Sequence, residues 1–421
     1  GFFSSLRFLG PGLILSAAIV GSGELIATTA LGAQVGFTLL WVILFGCLVK
    51  VAVQLEYGRY AICHGEGSFQ AWNREASGNL SGLHWSSWIA FIFLCSMLIG
   101  QAGVLGGASQ VAAYAIPALS VEVWTIIVTV LLGLLVSHGR YRLVELTATG
   151  LNFVFIFTIG LCVFAVQKTS YAVSLIDLQE GLILQIPPYA IALAIGAFGI
   201  TGVGSGEIFT YPYWCLEKGY ARWTGPRDGS EDWNSRARGW IRVMTIDSLV
   251  SLFVYTLSTF FFYILGATVL RTQETLADGN ELILQLSLIF TETIGEKTVL
   301  IFMVGAFTVL FSTVFANTAG YARLWTDFFV ISRLIQPQKK KQHLRSIQIM
   351  AWILPVVWGV VYLTFQRPLF LVVFMGISNA LFLIVVAYKA LIFRYRYVDS
   401  ALAPSRSYDV ILCLSVLSIG F

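Results

Sequence analysis

Runs of about twenty apolar residues recur along this chain, separated by short charged stretches, and most of its length therefore has lipid as its natural solvent. An α-helix crosses the hydrocarbon core of a bilayer in about 20 residues. Eleven such runs can be read, at 8–32, 36–62, 86–115, 121–137, 141–167, 187–214, 241–269, 298–330, 347–366, 368–393 and 408–421, the last of them short. Unpaired backbone groups in lipid cost several kcal/mol each, so every span must be helical, and the chain is expected to be an all-α, multi-pass membrane protein. Composition agrees: 57% of residues are hydrophobic and only 11% charged, against about 25% charged in an average soluble domain. Mean hydropathy is +0.80. A water-soluble enzyme, a disordered chain and a fibrous repeat are excluded. The opening GFFSSLRFLGPG lacks the charged leader and cleavage site of a signal peptide.

Orientation follows from the positive charges between spans. Segment 215–242 carries Lys218, Arg222, Arg227, Arg236, Arg238 and Arg242, and segment 323–346 is similarly basic. The alternate loops hold only Lys168, Arg271, Lys297 and Arg367. The N-terminus is thus expected in the cytoplasm. The net charge of +4 is small and gives no ground for nucleic-acid binding.

One internal repeat stands out. The first span contains Val20-Gly21-Ser22-Gly23-Glu24-Leu25, and the sixth contains Val203-Gly204-Ser205-Gly206-Glu207-Ile208. The two lie five spans apart, an odd number, so the second copy enters the membrane in the opposite sense. Residues 8–167 and 187–393 then form an inverted pair of five spans each, with 408–421 added, within one transmembrane domain, 1–421. Each glycine costs a helix about 1 kcal/mol relative to alanine. Paired lesions at matching positions indicate broken helices in spans 1 and 6, the usual pointer to a transporter binding site. Close helix packing would explain the glycines, but not the carboxylates beside them.

Glu24 and Glu207 are the sharpest candidates, because a carboxylate at bilayer depth costs about 2.5 kcal/mol or more and persists mainly where it acts. Broken helix ends leave free carbonyls on one side and free N–H groups on the other. The carbonyls near Val20 and Val203, the backbone at Gly21 and Gly204, the hydroxyls of Ser22 and Ser205, and the two carboxylates make an oxygen-rich site suited to hard cations. The alternative is that each serine caps, and each glutamate neutralises, the half-helix that follows. Either glutamate is also a candidate proton carrier.

Gln101, Gln110, Asn152, Asn317, Thr318, Ser378 and Asn379 either line a pathway or join neighbouring helices. Lys50, Glu56 and Arg59 read as an inner ion-pair network, with Glu145 and Asp247 near the same ends and Asp247 a gate or proton candidate. The six cysteines show no paired spacing and read as packing residues. The four histidines fall at or between span ends, so a buried histidine metal site is not expected. No phosphate-binding GxxxxGK[ST] motif and no catalytic constellation is present, so the chain is not expected to be an enzyme or to hold a cofactor.

The run GPGLILSAAIVGSGELIATTALGAQVGFTLLWVIL, residues 10–44, resembles the start of the natural resistance-associated macrophage protein (Nramp) family of divalent-metal transporters. The resemblance implies a leucine-transporter-type fold of eleven transmembrane helices. It is strong over spans 1–2, fair in span 6 and topological beyond. Where the family has Asp-Pro-Gly-Asn, this chain has Gly21-Ser22-Gly23-Glu24, and residues 187–214 contain neither the family's methionine nor its histidine. Carried over by position, the site lies at Gly21, Glu24 and Val203 to Glu207. Loss of the thioether points away from soft ions and towards the magnesium-transporter-like branch, because Mg²⁺ is commonly held by few carboxylates plus its own water.

The resemblance therefore implies alternating-access transport of a hard divalent ion, Mg²⁺ or Mn²⁺, held by Glu24 and Glu207 and coupled to protons. A monomer in a bacterial inner membrane is expected. A small organic solute carried by the same fold, a member that has lost metal transport, and a non-transporting receptor or scaffold are the alternatives.

Overall fold

The computed structural model describes residues 8–75, 78–137, 141–272, 281–295, 298–336 and 340–420. The chain before Phe8, His138, Lys297 and the side chains of Ser22 and Glu145 lie outside the described residues.

The first span begins with α1 (Pro11–Ile19), where Pro11 sits in the first turn, a position that needs no N–H. It continues through a π-helical stretch, Val20–Thr28, into α2 (Thr29–Val35). Next come α3 (Leu40–His64), short α4 (Ser68–Asn73), a two-residue hairpin of β1 (Asn79–Leu80) and β2 (Leu83–His84), and α5 (Trp85–Ala115). α6 (Val121–Ser137) and α7 (Tyr141–Val166) complete the first half. A connecting helix, α8 (Leu175–Glu180), leads to the split sixth span, α9 (Ile191–Ile200) and α10 (Ser205–Lys218). The second half continues with α11 (Tyr220–Thr224), α12 (Glu231–Thr268), α13 (Leu282–Thr293), α14 (Val299–Ile331), α15 (Lys340–Phe365) and α16 (Pro368–Ile392), and α17 (Arg406–Gly420) follows. Among the described residues, nine helical stretches are long and apolar enough to cross a membrane, and Val121–Ser137 and Leu282–Thr293 are shorter apolar helices. The architecture is that of an integral multi-pass membrane protein.

The sequence reading missed α13. Its Leu282, Ile283, Leu286, Ile289 and Phe290 are buried, so it is a packed connecting helix between the seventh and eighth spans.

The interruptions in spans 1 and 6 take two physical forms. Span 6 opens: Thr201 is extended (φ −70°, ψ 138°) and Gly202 is left-handed (φ +62°). Span 1 is not opened. Its GSGE stretch stays helical with a wider, i→i+5 turn, so the free carbonyls expected near Val20 do not arise from a gap. Close packing on both sides accompanies that wider turn. A Cβ on Gly21 would lie 2.5 Å from Thr313 Oγ1, and one on Gly23 would lie 2.7 Å from the Ile200 carbonyl oxygen. Thr28 and Thr29 donate their hydroxyls back to the carbonyls of Gly23 and Glu24 (2.8 and 3.1 Å).

Small residues set the tightest helix pairs. A Cβ on Gly199 of α9 would fall 1.9 Å from the Gly376 carbonyl oxygen of α16, and one on Gly266 of α12 would fall 2.3 Å from the Thr29 carbonyl oxygen. In lipid, where apolar side chains gain nothing by leaving solvent, such backbone approach is a main source of helix association. It clamps α9 to α16 and span 1 to α12, fixing the walls of the central site.

Candidate ion-binding site

The site is built around the break in span 6. Gly202 takes a conformation that glycine adopts at little cost, and any Cβ there would also press on Cys47, 3.0 Å from its Sγ. The break leaves the carbonyl end of α9 and the N–H end of α10 facing each other with opposite partial charges.

A cation meets the carbonyl end. Lys50 of α3 is fully buried, and its ammonium donates to the carbonyl of Thr201 (2.8 Å) and to that of Phe198. It also lies 4.7 Å from the Phe198 ring centroid. The N–H end of α10 is met by oxygen. Asn379 Oδ1 accepts from the Gly206 N–H (3.0 Å), and Ser205 Oγ lies 2.9 Å from both Asn379 Oδ1 and the Asn379 carbonyl oxygen. The Glu207 carboxylate folds back over the same end, where a Cβ built on Gly204 would lie 2.5 Å from its Oε2.

Glu24 reaches the break from span 1. Its Oε1 accepts from the Gly202 N–H (3.1 Å) and from the Thr259 hydroxyl (2.7 Å). The residue is fully buried, and Oε2 has no hydrogen-bond partner among the described residues. The Tyr255 hydroxyl, which interacts electrostatically with Glu24, is buried and similarly unpartnered. Lys50 interacts electrostatically with both Glu24 and Glu207. The two GSGE carboxylates thus sit at one break, with the Lys50 ammonium on its carbonyl side.

Behind Glu207, three expected pathway residues come together. Asn317 Nδ2 donates to Gln101 Oε1 (3.2 Å), and a Cβ built on Gly206 would lie 2.7 Å from the Tyr321 hydroxyl and 3.5 Å from Asn379 Oδ1. Asn379 completes this polar cluster from α16. Two methionines line it from outside span 6: Gln101 Nε2 lies 3.2 Å from Met375 Sδ, and Asn379 Nδ2 lies 3.8 Å from Met97 Sδ.

Other candidates lie elsewhere. Gln110 bonds to Tyr362 Oη and Asn152 to Ser312 Oγ, joining helices, while Thr318 bonds within its own helix. Asp247, the gate or proton candidate, lies at the start of α1. Its two oxygens accept from the N–H groups of Gly10 (2.9 Å) and Gly12 (2.5 Å), so it anchors the start of α1. Backbone donors at a helix N-terminus are strong carboxylate partners, and here they occupy both oxygens.

The inner ion-pair reading divides. Glu56 and Arg59 do pair (3.3 Å), and Glu56 also accepts from the Tyr408 hydroxyl (2.7 Å), tying α3 to α17. Lys50 is not part of that network. It stands six residues earlier on α3, about 9 Å along the axis, at the level of the break. The lysine inside an apolar run was itself a signal, since an ionisable residue within a span marks function by default. Its proximity in sequence to Glu56 and Arg59 obscured that signal. Thr259, Tyr255 and Tyr321 were also missed, and nothing local to them distinguishes them from ordinary span residues.

Among the described residues no group of three or more His, Cys, Asp or Glu side chains is gathered closely enough to hold a metal ion. Any ion held here must take backbone, amide and hydroxyl oxygens along with the two carboxylates.

No curated protein sequence matches the chain. Solved structures do. A mutant of the Eremococcus coleocola manganese transporter superposes with a TM-score of 0.69 at 17% identity, covering 100% of this chain and 86% of that one. Mhp1, a nucleobase-cation-symport-1 family transporter in a closed conformation with bromovinylhydantoin bound, gives 0.57 at 13% identity, over 98% of this chain and 88% of that one. MhsT in complex with L-phenylalanine gives 0.56 at 12% identity, over 97% and 96%. At these identities the likeness is one of fold, the leucine-transporter-type arrangement. The pattern defining the natural resistance-associated macrophage protein-like family matches residues 12–400, and the chain belongs to that family.

Proposed function

We propose that the chain is a secondary-active transporter of divalent metal cations, working by alternating access around the break in span 6. The observation that carries this reading is the Glu24 carboxylate, buried at the break with one oxygen committed to Gly202 and Thr259 and the other without a partner. A buried, half-satisfied carboxylate is costly, and a cation is the natural group to complete it. Glu207, Ser205, Asn379 and the Thr201 carbonyl supply further hard oxygen donors within the same break, the chemistry that Mg²⁺ or Mn²⁺ prefers. Family membership and the fold shared with a manganese transporter support the same class of cargo.

In this reading Glu24 and Glu207 hold the ion, and one of them carries a proton when transport is proton-coupled. The whole chain acts as one transporter domain, a monomer with repeats 8–167 and 187–393, its N-terminus in the cytoplasm. Reconstituted into liposomes, the protein should take up Mn²⁺, reported by a trapped dye, and Glu24→Gln and Glu207→Gln should each abolish uptake. Undiminished uptake in the double variant would remove the assignment of these carboxylates.

One observation favours a second cargo. The Lys50 ammonium and the Gly202 N–H are donors at the break, and such groups can hold the carboxylate of a small organic solute. Calorimetry against a panel of amino acids beside Mn²⁺ and Mg²⁺ separates the two.

A further inference from the structure

We infer that Lys50 is a tethered cation, occupying the place at the carbonyl end of α9 that a transported divalent ion must take, so that uptake requires the ion to displace it. The inference rests on the divalent-cation reading and deepens it.

Three observations converge. The ammonium is fully buried and satisfied by the Thr201 and Phe198 carbonyls, which are acceptors freed by the break rather than side chains evolved around a lysine. It interacts electrostatically with both carboxylates of the repeated GSGE motif. Glu24, the nearer to that carbonyl end through its bond to Gly202, nevertheless keeps one oxygen unpartnered. The ammonium therefore balances charge without filling the coordination of Glu24, as expected of a stand-in on a tether. An arriving metal ion would seek the same carbonyls and the same carboxylates, and two cations cannot share them.

Two consequences follow for transport. The ion-free carrier keeps one counter-charge beside its two acids, since Lys50 supplies a positive charge when no ion is bound. The site also discriminates by valence: a monovalent ion merely exchanges one charge for another, whereas a divalent ion brings a net gain to offset moving the ammonium. Lys50 is thus a specificity-determining residue, although it is not a ligand.

The test uses thermal unfolding of the purified full chain in detergent, with Mn²⁺ titrated against the wild type and Lys50→Met. Without metal, K50M should unfold at a lower temperature than the wild type, and adding Glu207→Gln to it should restore part of the loss. With metal, half-maximal stabilisation of K50M should need about tenfold less Mn²⁺ than the wild type, the equivalent of one lost competitor. Should K50M not fold, Lys50→Gln, which removes the charge and keeps an amide donor for the two carbonyls, takes its place, and the same leftward shift is expected. A Mn²⁺ response that the Lys50 substitution leaves unchanged or weakens overturns the displacement while leaving divalent transport standing. No response to Mn²⁺ or Mg²⁺ in either chain overturns both.

Discussion

Glu24, in the π-helical stretch of span 1, accepts a 3.1 Å hydrogen bond from the backbone N–H of Gly202, the left-handed residue at the break of span 6. The same carboxylate oxygen takes the Thr259 hydroxyl of α12 at 2.7 Å. Span 1, span 6 and α12 therefore meet at one atom. Replacing Thr259 by valine removes a donor to a buried carboxylate and should cost about 1.5–3 kcal/mol of stability. In an E24Q background the cost should be smaller, because the acceptor is no longer charged. A double-mutant cycle by thermal unfolding measures the difference, and full additivity would show that the two side chains do not interact.

Asn379 occupies the other end of the break, accepting from the Gly206 N–H and paired with the Ser205 hydroxyl. Asn379→Ala leaves the Gly206 N–H without that acceptor, a loss of about 1–3 kcal/mol for the stranded donor, while the Ser205 hydroxyl keeps the main-chain carbonyl of residue 379. Uptake of Mn²⁺ into liposomes should fall along with it. Equal stability in N379A and the wild type would show that water replaces the amide fully.

Gly199 and Gly150 make a matched pair of opposite sign. Alanine at Gly199 would drive its Cβ to 1.9 Å from a backbone oxygen of α16, so Gly199→Ala is expected to cost about 3 kcal/mol or to prevent folding. A Cβ at Gly150 meets nothing within 4 Å. Gly150→Ala should instead stabilise α7, by up to about 1 kcal/mol from helix propensity. Yield of folded protein and unfolding temperature read both changes.

Lys389, fully buried near the end of α16, pairs with Glu75 (2.5 Å) and lies 3.4 Å from His84 Nδ1, between the rings of Trp72 and Trp85. This cluster joins the last turns of α16 to the segment between α4 and α5. Lys389→Met takes the ammonium from the Glu75 carboxylate and leaves it the His84 ring at 3.8 Å, and breaking a buried pair on one side costs about 3–5 kcal/mol. K389M/E75Q should recover much of that loss. If the double variant is no more stable than K389M, the ammonium acts through the indole rings rather than through Glu75.

Asp247 carries the start of span 1 on two backbone N–H bonds. Asp247→Asn keeps one acceptor but turns an amide donor towards the second N–H, which should cost about 1–3 kcal/mol. Thermal unfolding checks this, and an unchanged midpoint would mean that the helix start is solvated in place of being held by the side chain.

Much of the architecture was legible in the amino-acid order because it rests on local properties. Apolar runs of membrane length, the basic loops between them and the twin GSGE segments depend only on residues near one another in the chain. The polar residues Gln101, Asn317 and Asn379 were recognisable as pathway candidates for the same reason: amides within apolar spans are conspicuous. The form of each interruption was not legible. Identical tetrapeptides became a π-helical turn in span 1 and an open break in span 6. The first is pressed between α14 and the end of α9, whereas the second must turn through Gly202.

What the sequence alone determined is that this chain crosses a membrane many times and carries an acid beside paired glycines in each half. What only the tertiary structure decided is which partner each charge meets. Asp247 went to the start of α1, 235 residues away, and Lys50 to carbonyls 148 and 151 residues away. Helix formation in lipid is dictated by each segment's own backbone and side chains. A buried charge, by contrast, is stabilised by whichever dipole or counter-charge helix packing brings alongside it, and the depth, tilt and rotation of packed helices are not written in any single segment.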